Sequence, residues 1–85
     1  MKLVWSTNAW DDYLYWQAND KKMVKRINLL IKDIKRSPFD GVGKPEPLKH
    51  NWSGYWSRRI TQSDRLVYKV LDGSILIAQA RFHYE

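Results

Sequence analysis

YWSRRITQSDRLVYKVLDGSILIAQARF, residues 55–82, decides the fold. Three runs within it, 55–62, 65–71 and 74–82, are rich in Tyr, Trp, Val and Ile, the side chains that suit a pleated, half-buried surface. Asp72-Gly73 is a hairpin signal, and Ser63-Asp64 turns the preceding pair. On the middle run Leu66, Tyr68 and Val70 alternate inward. The opposite face of the sheet is then partly open, and polar chemistry has room there.

Upstream, residues 2–5 read as a short strand. Thr7 or Asn8 caps a helix beginning near Ala9, with Asp11 and Asp12 in its first turn. Trp10, Tyr13, Leu14 and Gln17 share one face of it. Asn19-Asp20 breaks the chain, and Asp20 caps a second helix. Met23, Ile27, Leu30, Ile31 and Ile34 form its apolar stripe, opposite Lys21, Lys22, Lys25, Arg26, Lys32, Lys35 and Arg36. That charge is either a solvated face or a contact with a polyanion. Ser37-Pro38 ends the helix, because the residue before proline avoids helical geometry. Residues 37–54, rich in Gly and Pro, read as a long loop. The order β-α-α-β-β-β implies an α+β fold, two helices packed on one face of a small, mainly antiparallel sheet. One domain, 1–85, is expected from the length.

Composition narrows the function. The 85 residues carry a formal charge of +6, with five Trp and five Tyr, which suits a nucleic-acid partner. The chain has no Cys, so it has neither a disulfide framework nor a thiolate metal site. No segment approaches the roughly 20 apolar residues of a membrane helix, and the start lacks a signal peptide's apolar stretch. A cytoplasmic location without membrane attachment is the expectation.

Phosphate-binding and dinucleotide motifs are absent, and His50 and His83 alone do not suggest a zinc site. What remains is acid–base chemistry supported by cations. Glu46 lies between Pro45 and Pro47, which restrict its backbone. Arg58 and Arg59 are adjacent in a strand and point to opposite faces, one toward the open face and the other toward solvent or a partner. Arg65 opens the next strand, and Arg81, His83 and Tyr84 close the last. A histidine titrates near neutral pH and suits proton transfer. Trp52 and Trp56 are either core or contact residues.

Trp10-Asp11-Asp12-Tyr13, Gly43-Lys44-Pro45-Glu46-Pro47-Leu48-Lys49-His50, Ser53-Gly54-Tyr55-Trp56-Ser57-Arg58-Arg59-Ile60, Arg65-Leu66-Val67-Tyr68 and His83-Tyr84 together resemble the YoeB family, nearly end to end. That family belongs to the RelE/ParE superfamily and supplies toxins of bacterial toxin–antitoxin pairs. The resemblance implies a RelE-like microbial ribonuclease fold and cleavage of mRNA in the ribosomal A site, which inhibits translation. It implies an antitoxin of the YefM kind as partner, alongside mRNA and the 70S ribosome, and a homodimer as an assembly. No metal and no cofactor are implied. By position, Glu46 is the general base toward the ribose 2′-hydroxyl and His83 the general acid toward the departing 5′ oxygen. Arg65 stabilises phosphate charge, Lys49 and Arg59 hold the backbone, and Tyr84 orients the substrate. The ParE relatives, which act on DNA gyrase, and a non-catalytic RNA-binding domain are the competing readings. A gyrase inhibitor has no use for the acid–base pair.

These roles make a structural demand. A strict two-residue turn at Asp72-Gly73 pairs Leu71 with Ser74, sets Arg65 opposite Ala80 and puts Arg65 and His83 on opposite faces. A three-residue loop or one bulge shifts the register, so that Arg65 falls opposite Arg81 and shares a face with His83. A bulge or longer loop is therefore expected. Glu85 departs from the family, whose members end at or near the His-Tyr pair. An extra carboxylate there is expected to act on His83 or to disfavour RNA.

Overall fold

The computed structural model describes residues 1–83. It contains β1 (Lys2–Trp5), α1 (Thr7–Asn19), α2 (Lys21–Arg36), β2 (Glu46–Pro47), a 3-10 turn (His50–Trp52), β3 (Trp56–Arg59), β4 (Arg65–Leu71) and β5 (Ser74–Gln79). The sheet order is β1-β5-β4-β3-β2, with β1 parallel to β5 and every other pairing antiparallel. The α+β architecture with two helices is as expected, and β2 is an additional strand taken from the loop 37–54. Pro47 has no N–H to donate, so an edge position suits it.

Ile27, Leu30, Ile31 and Ile34 from α2 pack with Leu66 and Tyr68 from β4 and Ile75 and Ile77 from β5. The stripe read from α2 is thus its buried face, with Met23 packed at the margin. The Asp20 carboxylate caps α2, accepting from the Lys22 N–H at 3.1 Å.

Helix α1 corrects two expectations. Its cap is Ser6, whose hydroxyl accepts from the Ala9 N–H at 3.0 Å, so Thr7 and Asn8 are helical and Asp11 and Asp12 lie beyond the first turn. Its inward face is Ala9, Asp12, Tyr13 and Trp16, while Trp10 and Leu14 are exposed. The small Ala9 lets the helix approach the sheet, and the larger Trp10 is displaced to the rim. There it contacts Trp5 and Tyr13.

The strand ends are also shorter than read. β3 stops at Arg59, and β5 stops at Gln79. The turn is a strict two-residue one, with Leu71 opposite Ser74, but the ladder slips further along: Tyr68 faces Ile77 and Val67 faces Gln79. Ala78 is the extra residue, a β-bulge of the kind that re-aims a strand end. The expected bulge is present.

Candidate functional site on the open sheet face

The ladder itself assembles the site. Glu46 pairs with Ser57, Ser57 with Val67, and Val67 with Gln79, one row crossing β2, β3, β4 and β5. Directly paired residues project to the same side, and this side is opposite to Leu66 and Tyr68. Two residues along, Arg59 pairs with Arg65. Glu46, Arg59 and Arg65 therefore share the open face. That face is not bare, because Ser57 and Val67 are buried on it.

Lys49 shares a cavity with Glu46. This cavity, of about 350 Å³, is lined by Glu46, Pro47, Leu48, Lys49, His50, Asn51 and Trp52. Its rim is pinned by a hydrogen bond from the Leu48 N–H to the Tyr55 carbonyl (2.9 Å) and one from the Tyr55 N–H to the Trp52 carbonyl (2.9 Å). Leu48 is the buried anchor, whereas Trp52 is half-buried and packs edge-on against Tyr55. Trp56, by contrast, packs on the main core.

Arg65 is held from behind. Its Nη1 donates to the carbonyls of Thr61 (2.9 Å), Gln62 (2.9 Å) and Asp64 (3.2 Å). Arg65 pairs in register with Arg59, so two cationic side chains start from neighbouring points of the open face.

His83 stands apart from Glu46. It lines a second cavity of about 480 Å³ with Asn8, Asp12, Gln79, Arg81 and Phe82. Three strand spacings separate Glu46 from Gln79, about 14 Å at ordinary sheet geometry. The Arg65 N–H donates to the Phe82 carbonyl at 2.9 Å, so His83 follows directly on a residue bonded to the Arg65 backbone. Arg65 thus lies on the strand between the two ends of the row. Tyr84 and Glu85 lie outside the described residues, and so do the expectations placed on them.

Sequence reasoning misses two residues near this site. With Arg59 on the open face, strand alternation sends Arg58 toward solvent or a partner. It is instead fully buried on the helix side. It donates to Asp33 (2.6 Å) and to the carbonyls of Ser37 (2.6 Å), Asp40 (2.9 Å) and Val42 (3.1 Å). This holds the loop that leads into Glu46. The Val42 N–H, Arg36 and Arg58 together keep the Asp33 carboxyl well below the usual carboxylate range. Asp12 is the second residue. Burial pushes its carboxyl above the ordinary value, an effect partly offset by the Ala80 N–H that it accepts at 3.0 Å. The available signal is its place on the helical face of Ala9 and Trp16. Among the described residues no three His, Asp or Glu gather as a metal would need, and no helix is long and apolar enough to cross a membrane.

Comparison with known proteins adds an independent line. Residues 5–84 match the family described as YoeB-like toxin of bacterial type II toxin-antitoxin system. Toxin YoeB of Escherichia coli (strain K12) is 68% identical over 84 residues, 99% of this chain and 100% of that protein. The YoeB dimer from Staphylococcus aureus superposes with a TM-score of 0.93 at 52% identity, covering 99% of this chain and 98% of that one. The YoeB-YefM complex from the same organism gives 0.91 at 50% identity, with coverage of 99% and 98%.

Proposed function

Because the chain belongs to the YoeB-like toxins of bacterial type II toxin–antitoxin systems, we propose that it is a metal-independent endoribonuclease that cuts mRNA in the ribosomal A site. The observation that carries this reading is the opposed Arg59–Arg65 pair on the sheet face that also bears Glu46. Two like charges in register are built for a polyanion, and a carboxylate beside them supplies a base.

In this reading Glu46 removes the proton of a ribose 2′-hydroxyl. The 2′ oxygen forms a bond to the adjacent phosphorus as the bond from phosphorus to the 5′ oxygen breaks. His83 gives that oxygen its proton, leaving a 2′,3′-cyclic phosphate and a 5′-hydroxyl. Oriented acid–base groups of this kind contribute about 10²–10⁴-fold. Arg65 stabilises the charge growing on the phosphate, Lys49 and Arg59 hold the strand, and Tyr84 orients the nucleotide. Dependence on the 2′-hydroxyl makes RNA the substrate.

The exposed cations of α2 add a salt-sensitive contact with ribosomal RNA. An antitoxin of the YefM kind, with an acidic segment that folds on binding, is the inhibiting partner. Homodimerisation and a cytoplasmic location belong to the same reading. Primer extension on an mRNA programmed into 70S ribosomes tests it. A cut within the A-site codon and a cyclic-phosphate end are expected. Intact mRNA with supercoiling inhibited would move the assignment to gyrase.

A further inference from the structure

Residues 80–82, just before His83, have left the sheet, yet their backbone is held at almost every polar group. The bulge at Ala78 ends the ladder at Gln79. Ala80 is fully buried, and a buried backbone group without a partner is costly. Helix α1 meets both of its groups. The Asp12 carboxylate accepts from the Ala80 N–H at 3.0 Å, and the Trp16 indole donates to the Ala80 carbonyl at 2.8 Å. Asp12 and Trp16 are four residues apart, so they share one helical face.

Beyond Ala80 the bonds continue. Gln79 Nε2 donates to the Arg81 carbonyl at 2.8 Å. The Phe82 N–H donates to Asp64 Oδ1 at 2.7 Å. Asp64 Oδ2 accepts from the Thr61 hydroxyl at 2.9 Å, so one carboxylate ties the tail to the turn that anchors Arg65. Phe82 has φ 65, a left-handed conformation that a bulky side chain rarely adopts. It is kept there by Asp64 on its N–H and by the Arg65 N–H on its carbonyl. Such backbone strain persists only where its surroundings over-determine it, and it concentrates at functional sites.

We propose that Asp64, with Asp12 and Gln79, is a positioning residue for the reaction. Through these bonds the three side chains fix the backbone that carries His83 against the Arg65 turn. The inference rests on the ribonuclease reading and on His83 as the acid. A displacement of about 1 Å in an acid–base group costs on the order of 10²-fold in rate, so loss of the Asp64 bond acts on the proton delivered to the leaving oxygen. It leaves the binding of RNA by Lys49 and Arg59 intact.

The test compares two mRNAs on ribosomes, one with the natural 5′ oxygen at the cut and one with sulfur in that bridging position. A thiolate leaves without a proton, so the sulfur substrate bypasses the acid. For Asp64→Ala the rate on the oxygen substrate is expected to fall about 10- to 100-fold with KM unchanged, and the sulfur substrate to cut at nearly the wild-type rate. Asp64→Asn, which keeps an acceptor oxygen for the Phe82 N–H, restores the oxygen rate. If Asp64→Ala does not fold, Gln79→Ala carries the same comparison with a smaller loss. An equal defect on both substrates, while sulfur rescues His83→Ala, overturns the inference alone. Wild-type protein that cuts neither substrate, or a His83→Ala defect that sulfur leaves unchanged, overturns the functional reading beneath it.

Discussion

The Arg58 guanidinium is fully buried and lies 2.6 Å from the Asp33 carboxylate. It joins the sheet to the second helix and closes the loop between them, since its remaining bonds go to the carbonyls of Ser37, Asp40 and Val42 and to the Tyr68 hydroxyl. Removing the buried Arg58 leaves the half-buried Asp33 carboxylate and the carbonyls of Ser37, Asp40 and Val42 without this donor. Arg58→Ala is therefore expected to cost about 3 kcal/mol, a fall of roughly 10 °C or more in Tm. Arg58→Lys gives little rescue, because an ammonium lacks the planar fork. Thermal unfolding followed by circular dichroism checks both, and a wild-type Tm for either variant contradicts the assignment.

The same pair sets an acid limit. Asp33 is held below its ordinary value by the Val42 N–H, Arg36 and Arg58. The unfolded chain therefore binds the proton first, and this stabilising contribution is complete above the ordinary carboxylate range. It is lost as pH falls below that range toward the depressed folded value. Urea midpoints measured from pH 5 downward should fall in the wild type and fall less steeply in Asp33→Asn. Burial shifts Asp12 the opposite way, so a steeper acid loss in Asp33→Asn would contradict a lowered Asp33 pKa.

Gly43 is the second constraint on the approach to Glu46. It has φ 87, and a Cβ there would lie 2.9 Å from Leu30 Cδ2 and 3.3 Å from the Arg59 nitrogen. The Arg59 N–H donates to the Gly43 carbonyl at 2.8 Å, so a displaced Gly43 moves the strand bearing Arg59. Gly43→Ala is expected to destabilise by about 1–3 kcal/mol. A variant as stable as wild type in urea would show that Gly43 does not constrain this approach.

How far the sequence could be read follows from which forces act locally. The α2 stripe and the Asp20 cap were legible because helical spacing and capping are local. The three C-terminal strands were legible for the same reason. The bulge at Ala78 is foreseeable only because the family resemblance demands that Arg65 and His83 share a face. Strand β2 was hidden by Pro45 and Pro47, which read as loop and pair only because the edge of β3 lies beside them. The α1 face is easily misread because Trp10 and Leu14 look like core, while close packing requires Ala9. Alternation assigns opposite faces to Arg58 and Arg59 but no partners, since Asp33 is 25 residues away.

Arg59 and Arg65 oppose one another in the sheet, and Arg59 is exposed. Replacing Arg59 relieves like-charge repulsion, so Arg59→Leu is expected to leave Tm unchanged or higher while RNA cleavage falls at least tenfold. Stability and function then move in opposite directions, as at other sites built for a ligand. Parallel Tm and cleavage measurements decide it, and a variant that loses stability and keeps activity contradicts the anion-binding role.

The most direct measurement is single-turnover cleavage of a defined mRNA in the A site of 70S ribosomes by wild type, Glu46→Ala and His83→Ala. The expected result is a cut that leaves a 2′,3′-cyclic phosphate, with each substitution slowing it by about 10²-fold or more without releasing the protein from the ribosome. Wild-type rates in both variants would contradict it, because Glu46 and His83 would then take no part in moving the protons.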